Sequence, residues 1–441
     1  MATTGNDSIL GDASNETITA LAGNDTIFSL QGDDLIYGGL GDDSVFSGSG
    51  NDTVYGGAGN DTINNDGGND VYYGGGGNDL LVLGDVVYGS AGTAYGGAGD
   101  DSFLVTKTQT AEVHGGAGLD TLILSWAEFW SGGTVSVNFS SGTATSSTGL
   151  QLDFTGMEQL FLYTSDGNDT VTGGLNNDLL SVGSGVNRVN AMDGDDTIAY
   201  VISGANTLNG GAGDDVLLAQ SGSAALYFIV DELTGQVDDG NLTVVSGFER
   251  YEARGGGLND IASLGAGDDT FRGGSGNDTG FGAGGDDLLM GINGDDLLYG
   301  GTGRDTLYGG VGLDSLYGGD GNDVLHGGHG HDTLAGGAGA DVFAFGFADN
   351  GFDLITDFTS GEDHIRYSAD LLGVFSPGPG PLDPSEFQIG GSATTPGVFV
   401  LSYDAGTDLS TLLWSDNGHG AFALIKFSGN VSMVASDIIL F

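Results

Sequence analysis

Between residues 255 and 344 one apolar position returns every nine residues. Phe271, Leu289, Leu298, Leu307, Leu316, Leu325, Leu334 and Phe343 share it, and Gly280 leaves one gap. Each sits between two residues that tolerate the outside, the period-two signature of a short strand with one side chain turned inward. The six residues between strands read G-G-x-G-x-D, as in "GGTGRD" (300–305) and "GGDGND" (318–323), and glycine with short polar side chains marks a turn. A three-residue strand has no stability alone. Two nonapeptides, strand-turn-strand-turn, make one coil of about eighteen residues, and successive coils can pair as parallel strands. The pattern therefore predicts an all-β chain: a parallel β-roll, or β-helix solenoid, with the recurring apolar side chains packed between two thin sheets.

The same period organises much of the chain. Ten nonapeptides run without insertion through 255–344, with Asp260, Asp269, Asp278, Asp287, Asp296, Asp305, Asp314, Asp323, Asp332 and Asp341 at the sixth position. A first block spans 2–123. There Asp7 and Glu16 open the register and Asp25, Asp34, Asp43, Asp52, Asp61, Asp70 and Asp79 continue it. It slips at "LGDVVYGSAGTAY" and returns with Asp101 and Asp120. A degenerate block at 164–218 holds Asp169, Asp178, Asp196 and Asp215, but Asn187 and Asn206 replace the acid, so half-formed sites are expected. Two non-repeat segments, 124–163 and 219–254, alternate apolar and polar residues and read as β inserts. Both close alike, with an acid eleven residues after a glutamate (Glu158 to Asp169, Glu249 to Asp260), so they read as one module duplicated. Beyond 344 the period ends, and 345–441 reads as a separate β-rich cap.

Charge turns this pattern into chemistry. The 441 residues carry 61 acids against 8 bases, a formal net charge of −53, and only nine of the acids are glutamate. Nucleic acid and anionic membranes would be repelled, and no apolar run is long enough for membrane insertion as a helix. There is no cysteine, hence no disulfide and no thiolate metal site. The N-terminal stretch lacks the basic and apolar regions of a cleavable Sec signal.

In a roll, turns one coil apart stack at the strand spacing, roughly 4.8 Å, so Asp305 falls between Asp287 and Asp323. Two bare carboxylates about 5 Å apart repel by roughly 3 kcal/mol at an effective dielectric near 20. Eight bases cannot neutralise such columns, but divalent cations can. Carboxylate oxygens and turn carbonyls make a flexible all-oxygen cage, which suits calcium better than magnesium. The sixth-position aspartates from Asp25 to Asp341 named above are thus the expected metal residues, with multiple Ca²⁺ as cofactor.

These nonapeptides resemble the RTX, or hemolysin-type, calcium-binding repeat. The resemblance implies a β-roll with each Ca²⁺ held between turns by the sixth-position aspartate and backbone carbonyls. The segments "ADVFAFGFADNGFDLITDFTSGEDHI" (340–365) and "TLLWSDNGHGAFALIKFSGNVSMVASDIILF" (411–441) resemble the C-terminal region of serralysin-type secreted metalloproteases. That implies a capped roll, a Gram-negative source, and an uncleaved C-terminal signal read by a type I ABC secretion machinery. The expected location is extracellular.

Other chemistry is weaker. The proteases with that tail carry H-E-x-x-H, and this chain has no His-Glu pair; nor does it have G-x-S-x-G. Glu128, Glu158, Glu232 and Glu249 in the inserts show no pairing pattern. "HGGHGHD" (His326, His329, His331) reads as surface variation, with an adventitious transition-metal site as the alternative. Tyr299, Tyr308 and Tyr317 read as an outer aromatic stack, with a sugar platform as the alternative, and Trp126, Trp130 and Trp414 as core. Alginate epimerases also carry RTX modules, but outside their catalytic domain. The expectation is a non-catalytic calcium-binding protein with a structural or surface role and extracellular polysaccharide or the cell surface as partner. The alternatives are an enzyme or toxin active in the inserts, or a polysaccharide-binding module.

Overall fold

The computed structural model describes residues 4–64, 67–84, 91–106, 110–125, 133–147, 149, 151–221, 224–231, 236–239, 243–346, 352–367, 380–381, 387–389, 398–404, 407–415, 421–428, 431, 433–434 and 437–440. Apart from one 3-10 turn at Phe139–Ser141, its elements are strands. Among the described residues no helix is long and apolar enough to cross a membrane. The chain forms two compact units, Met1–Leu217 with Asn241–Phe248, and Leu218–Gly240 with Glu249–Phe441.

Each unit is built as a parallel β-roll. In the second, strand Thr306–Gly312 pairs in parallel with Leu288–Asn293 and Val324–Gly330, and Leu297–Thr302 pairs with Ser315–Asp320. The register places Leu289, Leu307 and Leu325 in one column and Leu298, Leu316 and Leu334 in another. All six are fully buried, each contributing roughly 1.5–3 kcal/mol of apolar burial. The gap expected at Gly280 is closed by the Phe271 ring, which lies where a side chain at 280 would have been. In the first unit Ile27, Val45 and Ile63 form the corresponding column.

The two non-repeat segments share one plan. In the first, Gln151–Thr155 stacks in parallel on Thr110–Ala117, and Val135–Asn138 stacks in parallel on Thr170–Thr172. Thr143–Ser146 joins the two through antiparallel pairs. One sheet thus advances by three strands where the facing sheet advances by one, Gln159–Tyr163. In the second segment Thr243–Ser246 stacks on Thr207–Ala212, and Tyr227–Asp231 stacks on Ile261–Ser263 and pairs antiparallel with Gln236–Asp238. The correspondence extends to single bonds. Val135 and Leu226 donate backbone N–H groups to Asp169 and Asp260, and Leu160 and Tyr251 donate theirs to Asp178 and Asp269.

The roll also continues past residue 344. Asp353–Ile355 stacks on Thr333–Ala338, and His364–Tyr367 on Val342–Phe345. Ala421–Ser428 and Ile438–Leu440 then add the next rungs of the two sheets.

Candidate metal centre

The sixth-position aspartates form ladders along the turns. Asp305 donates its backbone N–H to Oδ1 of Asp323 at 2.8 Å, while its own Oδ1 accepts from Asp287 at 2.9 Å. The same bond links Asp25, Asp43, Asp61, Asp79, Asp101 and Asp120 in order, and Asp34, Asp52 and Asp70. It links Asp178, Asp196 and Asp215, and Asp269, Asp287, Asp305, Asp323 and Asp341. Asp260, Asp278, Asp296, Asp314 and Asp332 form the partner ladder of the second unit. None of the aspartates expected as metal residues is more than 3 % exposed.

One carboxylate oxygen of each rung is therefore used, which leaves the other. At Asp25, Asp34, Asp43, Asp52, Asp61, Asp79, Asp101, Asp120, Asp196, Asp278, Asp287, Asp296, Asp305, Asp314, Asp323 and Asp341, Oδ2 is buried and accepts no hydrogen bond. Several of these atoms face an acceptor. A Cβ placed on Gly300 would lie within 3 Å of both Asp305 Oδ2 and the Gly318 carbonyl oxygen, and Gly318 stands in the same relation to Asp323 and Gly336. Where the first position is glycine, as at Gly300 and Gly318, it thus keeps open a cradle of oxygens. A buried acceptor without a donor costs about 1–3 kcal/mol, and that cost recurs at each of the rungs just named. The donor set, hard oxygen from carboxylate and main chain with no nitrogen or sulfur, fits calcium.

Burial makes many of these carboxyls hold a proton more tightly than a free carboxyl does. Burial pushes Asp287 up to about 8, against the Asp269 N–H that lowers it, and the charges of Asp269 and Asp305 push it further. Burial likewise raises Asp52, Asp61, Asp101, Asp196, Asp296, Asp314 and Asp323 to about 7. A raised carboxyl pKa means that the fold binds the proton more tightly than the unfolded chain. This contribution is complete below the ordinary value and is lost as pH rises through about 7. In chelator-treated protein, lowering the pH from about 8 to about 5 is expected to restore part of the strand signal in circular dichroism, because protons then take the place of ions. A strand signal that falls on acidification would contradict this.

The ladders contain rungs beyond those expected. Asp332 donates to Asp353 at 3.0 Å and Asp341 to Asp363 at 3.1 Å, and both acceptors are buried. The fifth position carries a second, exposed ladder running the other way. Asp286 N–H donates to Asp268 Oδ1, Arg304 N–H to Asp286 Oδ1, and Leu313 N–H to Asp295 Oδ1. The recurrent "ND" and "DD" pairs before each strand were its signal in the sequence.

The remaining candidates make the following contacts where they are described. His326 stacks on Tyr308 at 4.5 Å, and burial holds its imidazole down at about 4. His331 instead accepts the Phe352 N–H through Nδ1 and stacks on that ring. Tyr299 stacks between Phe281 and Tyr317, and in the first unit Tyr37, Tyr55, Tyr73, Tyr95 and His114 form one column with centroids 4.7–5.1 Å apart. Within each column, rings stacked face to face cover one another's faces, the surface a sugar would need. Glu158 Oε2 accepts the Asp120 N–H and so serves as a rung. Trp414 lies in strand Leu409–Ser415, while Trp126, Trp130, Glu128 and Glu232 lie outside the described residues.

The model of the RTX calcium-binding nonapeptide repeat matches residues 1–27, 10–45, 19–54, 46–81, 163–198, 202–223, 254–289, 290–325 and 309–343, over half of the chain. The chain belongs to the RTX calcium-binding repeat family. In this RTX protein the matched stretches hold most of the sixth-position ladder, and the stretch from 82 to 162 lies outside them. No curated protein matches the chain. Among solved structures it is similar to a subunit of the Azotobacter vinelandii mannuronan C5-epimerase, at 31% identity over 33% of this chain and 77% of that one, with a TM-score of 0.25. It is also similar to the extracellular lipase of Serratia marcescens, at 16% identity over 65% of this chain and 40% of that one, with a TM-score of 0.16.

Proposed function

We propose that this RTX protein is a non-catalytic scaffold that works outside the cell and takes its shape only when calcium fills the turns. The observation that carries the reading is the row of buried Oδ2 atoms facing carbonyl oxygens with no donor between them. Extracellular calcium modules bind with Kd on the order of 10⁻⁴–10⁻³ M. At free calcium ~100 times Kd each site adds about 2.7 kcal/mol to folding, and at cytosolic calcium almost nothing. The chain then stays open and self-repelling inside and folds on arrival outside.

The resemblance of 411–441 to the serralysin-type tail supports export through a type I ABC machinery. Strand Ile438–Leu440 pairs with His364–Tyr367 in the finished roll, so a folded roll would occupy the segment the transporter reads, and export must precede folding. The use of Glu158 as a ladder rung supports a structural rather than catalytic role for the first insert. The partner in this reading is extracellular polysaccharide or the cell surface, met by the aromatic columns and the acidic turns.

Expression of the full chain with and without a type I transporter tests the route, and a hydrolase screen of the calcium-loaded product tests the role. Accumulation in the medium only with the transporter, and no turnover, is expected. Transporter-independent accumulation would overturn the route, and reproducible turnover the role.

A further inference from the structure

The turns that look alike in sequence differ at one atom. Asn187 accepts the Asp169 N–H through Oδ1 at 3.0 Å, as an aspartate rung would. Its Nδ2 takes the place of the aspartate's second oxygen and donates to the Gly183 carbonyl at 3.0 Å. Asn206 Nδ2 likewise donates within its own turn, to the Gly204 carbonyl at 3.3 Å, and to the Thr243 hydroxyl at 3.5 Å. The molecule thus carries its own control. An amide in that position finds a carbonyl acceptor, whereas a carboxylate oxygen there needs a cation between itself and the carbonyl.

A second group of turns reaches the same result from the other side. Asp178 Oδ2 accepts the Gly174 N–H at 2.7 Å, and Asp260 and Asp269 accept those of Gly256 and Gly265 at 2.8 Å. Glu16 Oε2 accepts the Asp12 N–H at 2.8 Å, and at the closing turn Asp363 Oδ2 accepts from Thr359 at 2.7 Å. In each case the donor is the second residue of the same turn. Asp169 uses the Thr164 hydroxyl at 2.6 Å. Inside a stack the second residue lies in a strand and faces its counterpart in the coil before, as Gly301 faces Ala283. At Asp178, Asp260 and Asp269, which follow an insert, no regular turn precedes at that distance, so the N–H turns to its own carboxylate and stands where an ion would.

We infer that calcium is confined to turns whose second carboxylate oxygen is bare, and that the Glu16, Asp169, Asp178, Asp260, Asp269 and Asp363 turns and the Asn187 and Asn206 turns are closed by hydrogen bonds and hold no ion. This rests on the calcium-scaffold reading. It makes the block at 164–218 asymmetric. One edge carries the bare Asp196, while the other, through Asp169, Asn187 and Asn206, is ion-free.

The test counts bound calcium per full chain by equilibrium dialysis with elemental analysis. Asn187→Asp is expected to gain one ion, Asp305→Asn to lose one, and Asp178→Asn to lose none. Anomalous diffraction from the unmodified calcium-loaded protein locates the same ions without relying on a variant that could fold poorly. An unchanged count in Asn187→Asp, or an ion at the Asp178 turn, overturns the inference alone. An unmodified chain that binds no calcium overturns both it and the scaffold reading.

Discussion

Removing calcium from the folded protein at neutral pH is expected to abolish most of its strand signal in circular dichroism, and restoring millimolar calcium to bring it back. Successive rungs place buried carboxylates one strand apart, as at Asp287, Asp305 and Asp323. At roughly 5 Å each pair that is ionised repels by about 3 kcal/mol at an effective dielectric near 20, and a pair that is not must hold its protons at neutral pH. Each of these three rungs also keeps a buried oxygen that accepts nothing, at about 1–3 kcal/mol. Against this, a nonapeptide contributes essentially one core side chain, such as Leu307 or Leu316, worth roughly 1.5–3 kcal/mol. The ladder penalty therefore matches or exceeds the gain from the core, and the backbone entropy of ordering nine residues is still to be met. Neutralisation by ions decides the sign. An identical spectrum in chelator and in calcium would contradict the argument.

The substitution with the largest expected effect is Gly303→Ala. Gly303 has φ +130, a conformation that L side chains rarely adopt, and a Cβ there would run into the Gly285 carbonyl one coil earlier. The obstacle is main chain, so no rotamer relieves it, and two coils must separate at a turn that positions Asp305. Backbone strain and the lost coil contact together should cost about 3 kcal/mol or more. Thr302→Ala, one residue earlier and exposed, should stay within about 0.5 kcal/mol. Thermal melts of both variants in saturating calcium check this, and equal midpoints would show that the turn is not under the constraint described.

The period made the roll, its inward columns and the sixth-position ladder legible before any coordinates, because each nonapeptide repeats one local solution. What escaped depended on a residue's neighbours in space. Asp353 and Asp363 continue the ladders from separations of 21 and 22 residues instead of 18, so they fall outside the nine-residue register even though "FDLI" and "EDHI" keep the acid and the apolar residue two places on. The division between bare and closed carboxylates was hidden for a related reason. Asp260 and Asp278 sit in similar sequences, "GGGLND" and "GGSGND", yet the Gly256 N–H binds the first, which follows an insert, while Oδ2 of the second accepts nothing. The inserts were readable as strands, but their stacking on the roll was not, since it joins Val135 to Asp169 across 34 residues.

The most direct test follows bound calcium and hydrodynamic radius together in one titration of the metal-stripped full chain. Compaction that tracks ion occupancy, with an expanded chain at zero bound calcium, is the predicted result. A chain already at its final radius before the first ion binds would contradict the account.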